Sequence, residues 1–215
     1  MLNVAVAGRT ALAGVIAVVV STPSRSAAEN QWSVSHLAGV ALTDDGSVLT
    51  HSEPFTGRIG NAAIGSLRLR YGVGGVVSVE GSALYGWTKT KRDSDNPDRL
   101  GVDLFSPRID ILLHPVRWQR LVPYALAGVG ALSIDRQPRA NEFRSAATQT
   151  VAAGNLGLGA EYRLSSVFAL RADGRTIAYD GGVGLSMNVE LSAGISVTWG
   201  GDSHQQARRG RDVWQ

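Results

Sequence analysis

The side chains best suited to acid–base chemistry or metal binding are four histidines: His36, His51, His114 and His204. They fall on separate segments, and none stands in an HExxH or similar spacing that would bring two imidazoles to one ion. The 215-residue chain has no cysteine, which excludes thiolate zinc sites, disulfide frameworks and cysteine nucleophiles. Its glycine clusters, at 72–75 and 181–184, read as turns, because no helix follows them to make a phosphate loop. A Ser/His pair able to attack an acyl ester is the sharpest catalytic option. Ser33 and Ser35 lie near His36, but adjacent residues of an extended chain point to opposite faces, so Ser35 and His36 form no simple pair. A serine from another segment stays open. His114 reads as a hydrogen-bonding residue. No metal site, cofactor or catalytic residue is expected, and the chain reads as not an enzyme.

The more numerous chemistry-bearing residues are ionic. Arg68, Arg70, Glu80, Arg108, Asp110, Glu161, Arg163, Arg171, Asp173, Arg175 and Glu190 alternate with apolar neighbours. Six arginines and five acids nearly cancel. Lysine is confined to Lys89 and Lys91, in what reads as a loop. Arginine is the cation suited to buried, multiply hydrogen-bonded pairs. The formal net charge of +3 comes from the ends of the chain. Of 21 basic and 18 acidic residues, Arg9, Arg25, Arg208, Arg209, Arg211, Asp202 and Asp212 lie outside 29–200, which leaves 16 of each sign within. A body so balanced is not built to hold nucleic acid by bulk charge.

Residues that alternate in this way require strands. Leu185, Met187, Val189, Leu191, Ala193, Ile195, Val197 and Trp199 alternate with polar or small residues over 15 consecutive positions. That exceeds the usual soluble strand of about 5–6 residues and suits a tilted membrane strand whose ends reach water. The same pattern predicts strands near 32–43, 58–73, 76–88, 103–116, 122–135, 150–164, 167–180 and 184–199. The first and fifth are ambiguous in facing, since Ala and Gly dominate them, and Pro107 is a flaw in the fourth. Long connections at Thr43–Gly57, Thr88–Gly101 and Asp135–Gln149 alternate with short ones at 72–75, 116–121 and 164–166. Segregated loop lengths are expected of an up-and-down barrel in a bacterial outer membrane, with the long loops outside and both termini in the periplasm.

Facing decides between a soluble and a membrane barrel. Within each strand, Leu67, Leu69 and Tyr71, Val77 and Val79, Ile109 and Ile111, Leu156 and Leu158, or Phe168 and Leu170 share one parity, and the charged residues of that strand take the other. Lysine is absent from the strands and arginine sits among carboxylates, so the charges are assigned to the lumen and the apolar side chains to lipid. An eight-stranded barrel has an interior just wide enough for side chains to fill. Trp32, Tyr71, Trp118, Tyr124, Tyr162, Phe168 and Trp199 are expected to form one aromatic girdle, and Tyr85, Trp87, Phe105 and Tyr179 the other. The fold class predicted is all-β, an eight-stranded antiparallel up-and-down transmembrane β-barrel over 29–200.

Residues 1–28 read as a secretory signal: Arg9, then the apolar stretch Thr10–Val20, then Ser26-Ala27-Ala28 before a cleavage point. The mature chain is expected to begin near Glu29. Residues 201–215 read as a disordered periplasmic tail.

The segments Pro123-Tyr-Ala-Leu-Ala-Gly-Val-Gly-Ala-Leu132, Asn155-Leu-Gly-Leu-Gly-Ala-Glu-Tyr-Arg-Leu164 and Ala169-Leu-Arg-Ala-Asp-Gly-Arg175 resemble the OmpA-like outer-membrane β-barrel domain. Glu190–Trp199 resembles that family's last strand and its assembly signal, carried by Ser192, Gly194, Val197 and Trp199. The resemblance implies a Gram-negative outer membrane, a lipid bilayer that includes lipopolysaccharide, and the barrel-assembly machinery as partners. The extracellular ligand is left unnamed. Proteins of this type often continue into a peptidoglycan-binding domain, whereas this chain stops 16 residues after Trp199; the assembly signal usually ends the chain, and here a tail follows. Some eight-stranded outer-membrane barrels modify lipid A. The function expected is a structural or surface-interaction role with a lumen filled by ion pairs; the alternatives are a lipid A-modifying enzyme and a narrow pore.

Overall fold

Period-two alternation is realised as eight long strands. The computed structural model describes residues 30–43, 60–89, 101–116, 118, 120–136, 148–180 and 185–200. The strands are β1 (Gln31–Thr43), β2 (Ala62–Gly72), β3 (Val77–Lys89), β4 (Gly101–Leu113), β5 (Leu121–Arg136), β6 (Thr148–Arg163), β7 (Phe168–Asp180) and β8 (Leu185–Gly200). Each pairs antiparallel with its sequence neighbours, and β8 pairs with β1 to close the barrel. Closure removes both sheet edges, so every strand finds two ladders. The bounds correct the sequence reading in places. β2 begins at Ala62 rather than 58, β4 ends at Leu113 with His114 just beyond it, and Lys89 ends β3 rather than lying in a loop. The expected signal peptide and tail, and the long connections apart from the strand residues at their ends, lie outside the described residues.

Cross-strand partners fix the barrel's geometry. Following them from Trp32 leads through Tyr71, Val79, Ile111, Ala127, Leu156, Thr176 and Val189 back to β1 at Leu42, a shear of ten residues. Eight strands with that shear tilt by about 40° from the barrel axis. A 13-residue strand such as β3 then rises roughly 33 Å, enough to cross an apolar band of about 25 Å.

Facing follows the parity of the sequence. Leu67, Leu69, Ile109, Ile111, Leu156, Leu158, Leu191 and Ile195 are exposed on the outer wall, whereas Arg68, Glu80, Asp110 and Arg171 are buried inside. The two ambiguous strands take definite faces: β1 turns Ser33, Ser35 and Leu37 inward, and β5 turns Val122, Tyr124, Leu126, Leu132 and Ile134 inward. A large apolar outer surface around a charged interior inverts the usual soluble order, and lipid is the medium that accommodates it.

Pro107 is accommodated by position. Its ring faces outward between β3 and β5, opposite Ala83. The β4–β5 ladder stops at Phe105↔Ser133 and resumes at Arg108↔Gly130. In the gap, the Ser106 hydroxyl donates to the Ala131 carbonyl at 2.7 Å, which replaces the N–H that proline lacks. The short turns close with few groups: Val73 and Gly74 N–H donate to the Val77 carbonyl, and Leu164 and Ser165 N–H to that of Phe168.

Candidate functional site

Inward parity delivers the charged side chains of β2, β3, β4, β6, β7 and β8 to one bore, where they pair across it. Arg70 donates two hydrogen bonds to Glu161, at 2.5 and 3.0 Å. Arg108 does the same to Glu190, at 2.6 Å for both, while its Nε donates to Ser106 at 2.9 Å. Arg171 grips Glu80 at 2.5 and 2.9 Å. Arg175 joins three acids: Asp173 at 3.0 Å, Asp110 at 2.6 Å and Glu80 at 3.2 Å. Arg68 donates to Asp173 at 2.6 Å and to the Ser192 hydroxyl at 3.0 Å. Five arginines thus meet five carboxylates, all ten of them buried. Bidentate geometry and full pairing are the conditions under which buried ions are tolerated, since each alone would cost several kcal/mol of desolvation.

The sixth arginine lies apart from this centre. Arg163 is half-buried at the short-turn end, where it lines a small cavity with Arg70, Glu161 and His114. His114 is buried and its Nε2 lies 3.2 Å from the Ser78 hydroxyl.

Neutral groups complete the network, and the charge pattern did not reveal them. The Tyr124 hydroxyl accepts from Arg171 Nε at 2.8 Å and donates to Asp173 at 3.1 Å. Asn155 donates to Asp110 at 2.9 Å, and Ser35 donates to Ser196 at 3.0 Å. Their inward parity was the available signal. Tyr124 and Tyr179 correct the girdle expectation, for both are buried in the bore. Of the other short-turn aromatics, Trp32, Trp118, Tyr162, Phe168 and Trp199 are exposed on the outside and Tyr71 is half-buried against Trp32; Tyr85, Trp87 and Phe105 are exposed at the far end. Glycines make room for the large side chains. A Cβ on Gly128 would collide with the Asp110 carboxylate, and one on Gly159 with the Tyr124 ring.

The bore is not ionic throughout, which corrects the expectation of a lumen filled by ion pairs. Toward the long-loop end, Ala41, Ala62, Ile64, Leu84, Val102, Leu104, Leu132, Ile134, Ala153, Ile177 and Tyr179 pack into one apolar cluster. Arg108 and Glu190 sit at its base, lining a cavity of about 20 Å³ with Ile64, Leu84 and Tyr179, room for about one water molecule. Two seals of opposite character therefore lie in series.

The residues read as an assembly signal divide between the faces. Ser192 faces the bore and donates to Asp173 at 3.2 Å. Gly194 also faces inward, packed against the backbone of His36 and Leu37, whereas Val197 and Trp199 are exposed on the outer wall.

His36 is exposed on the outer wall of β1, between Leu67 of β2 and Ile195 of β8. The outward residues beside it on these strands are Val34, Ala38, Gly65, Leu69, Ala193 and Val197, none with a hydroxyl, while Ser33, Ser35 and Ser196 are buried inside. Among the described residues the geometry brings no serine to His36. Among the described residues no group of three or more His, Asp or Glu side chains is arranged to hold a metal ion.

Comparison with known proteins agrees with this architecture. A family model described as the outer membrane protein beta-barrel domain matches residues 10–199. A search of curated protein sequences finds no match. Among solved structures, the chain is similar to OprG from Pseudomonas aeruginosa, at 13% identity and a TM-score of 0.56, covering 80% of this chain and 97% of that one. It is similar to Ail, the attachment invasion locus protein of Yersinia pestis, in complex with the heparin analogue sucrose octasulfate, at 15% identity and a TM-score of 0.54, covering 80% and 99%. Neisserial surface protein A gives 16% identity and a TM-score of 0.53, covering 78% and 96%. At these identities the likeness is one of fold. The family match spans nearly the whole chain, and with the closed barrel and its lipid-suited outer wall it places the protein in the outer membrane: the chain belongs to the outer membrane protein β-barrel domain family.

Proposed function

We propose that the protein is a closed barrel with a structural or surface-interaction role, and neither a pore nor an enzyme. One observation carries this reading: five arginines and five carboxylates pair across the bore, and an apolar cluster closes it again toward the long-loop end. A conducting path needs water-lined space, which paired side chains and packed leucines do not leave. An ion path would also favour one sign of charge, and here the signs cancel. What remains free to interact is the exterior. The connection between β3 and β4 carries Lys91, Arg92, Arg99, Asp93, Asp95 and Asp98, charged groups suited to polar partners at the cell surface, with lipopolysaccharide the nearest. The Yersinia protein of the same fold carries attachment in its name and was solved with a heparin analogue, which supports a surface role by analogy of fold alone. Insertion by the barrel-assembly machinery through Ser192, Gly194, Val197 and Trp199 belongs to the same reading.

The test is deletion of the gene, with adhesion to surfaces, small-solute permeability and lipid A mass measured on the same cells. Altered adhesion with unchanged permeability and lipid A is the expected result. A missing acyl chain or sugar on lipid A would assign an enzyme, and a lost solute flux a pore.

A further inference from the structure

Among the described residues His36 has no hydrogen-bond or ion-pair partner, and its depth makes that informative. It lies four residues along β1 from Trp32 of the short-turn girdle, which raises it about 10 Å into the apolar band at a strand tilt of about 40°. The band itself measures roughly 23 Å between Tyr71 and Trp87, eight residues along β2 to the Ala63↔Trp87 pair and then the rise across one tilted strand spacing. At that depth lipid offers acyl chains alone, and headgroup phosphates are out of reach. An ionisable side chain within the hydrocarbon is costly and marks a functional contact.

The wall beside it is bare. Gly65 of β2 and Gly81 of β3 face outward, and a Cβ on either would meet nothing within 4 Å. Nothing inside the barrel requires them to be glycine, and a strand-interior glycine weakens its strand. Ala38, Ala83 and Ala193 extend the same surface. Bare glycines in a strand mark close approach of another backbone, and small residues permit close packing within a membrane.

We propose that this face is an interface between two copies of the chain, with His36 on the two-fold axis. Two barrels inserted in the same direction can be related only by a two-fold axis normal to the bilayer, so each residue meets its own depth on the partner. A neutral imidazole has one donor and one acceptor nitrogen. His36 can therefore donate to a second His36 or accept from it, one hydrogen bond joining the pair. Gly65, Gly81 and the alanines let the walls approach closely enough for that hydrogen bond.

The chain lacks cysteine, so single thiols report contacts cleanly. Under oxidation in outer membranes, His36→Cys should form an intermolecular disulfide, whereas Leu156→Cys on the opposite wall should not. Dimerisation in phosphatidylcholine vesicles, followed by energy transfer between labels on a cysteine added after Gln215, should weaken about tenfold in His36→Leu. His36→Gln, which keeps a donor and an acceptor, should retain it. Leucine suits lipid, so the variant barrel should fold, and this is checked by its resistance to protease. The proposal is overturned if the wild type stays monomeric in vesicles, if His36→Leu dimerises as well as wild type, if Leu156→Cys cross-links in preference to His36→Cys, or if the His36→Cys thiol couples to a different protein.

Discussion

Arg108 and Glu190 offer the most direct probe of the lumen's energetics, because the two form a closed pair. Both guanidinium nitrogens reach the carboxylate at 2.6 Å, and the pair sits against the apolar cluster rather than among other acids. Arg108→Ala leaves Glu190 charged, buried and bordered by Ile64, Leu84 and Leu104. Removing one member of such a pair costs about 3–5 kcal/mol, or two to three and a half decades in the unfolding equilibrium, at about 1.4 kcal/mol per decade. Glu190→Ala should cost a similar amount by stranding the arginine. Replacing both, as Arg108→Met with Glu190→Leu, removes the charge and its desolvation together. That variant should fall within about 2 kcal/mol of wild type, because well-packed apolar substitutes for buried pairs are often neutral. The assay is reversible urea unfolding in lipid vesicles, followed by tryptophan emission and extrapolated to zero denaturant. Single variants costing under about 1 kcal/mol, or a double variant costing the sum of the singles, would refute the reasoning and imply a wet, screened bore.

Arg171→Ala and Glu161→Ala should both destabilise the barrel far more than Lys89→Ala, in the same unfolding assay, since Lys89 is exposed at the end of β3. Gly128→Val should fail to give a folded barrel in vesicle refolding, because its side chain would occupy the Asp110 carboxylate position; normal folding would show the wall to be looser than described. Protease added to whole cells should cut within Thr43–Gly57, Thr88–Gly101 or Asp135–Gln149 and spare the turns at 73–76 and 164–167; cleavage confined to 116–121 would invert the topology.

The fold was legible because lipid imposes a strict rule on each strand. In β8, fifteen alternating positions leave one facing, and closure of eight such strands leaves one topology. β1 and β5 were not legible, since Ala and Gly suit either face; Ser35 and Tyr124 find their side through partners on β8 and β7. Parity turns Arg108 and Glu190 toward the same bore, but they lie 82 residues apart. Only the shear of ten brings them to one height, and shear is set by pairing that composition does not encode. Tyr179 misled for a related reason. Aromatics at strand ends suggest a girdle, yet its parity with Asp173 and Arg175 places it in the bore. The apolar cluster hides behind the charge pattern, because Ile64, Leu84 and Leu104 share the inward parity of the charged residues. Read along one face, β2 runs from arginine to isoleucine and β4 from aspartate and arginine to leucine. That gradient is the two-seal arrangement.

The central claim, that paired charges and an apolar cluster close the bore, is tested most directly by conductance of the purified wild-type protein in a planar lipid bilayer. Little or no steady current is the predicted result, across potentials of both signs. Large, stable and ion-selective currents would contradict the closed barrel and establish a pore.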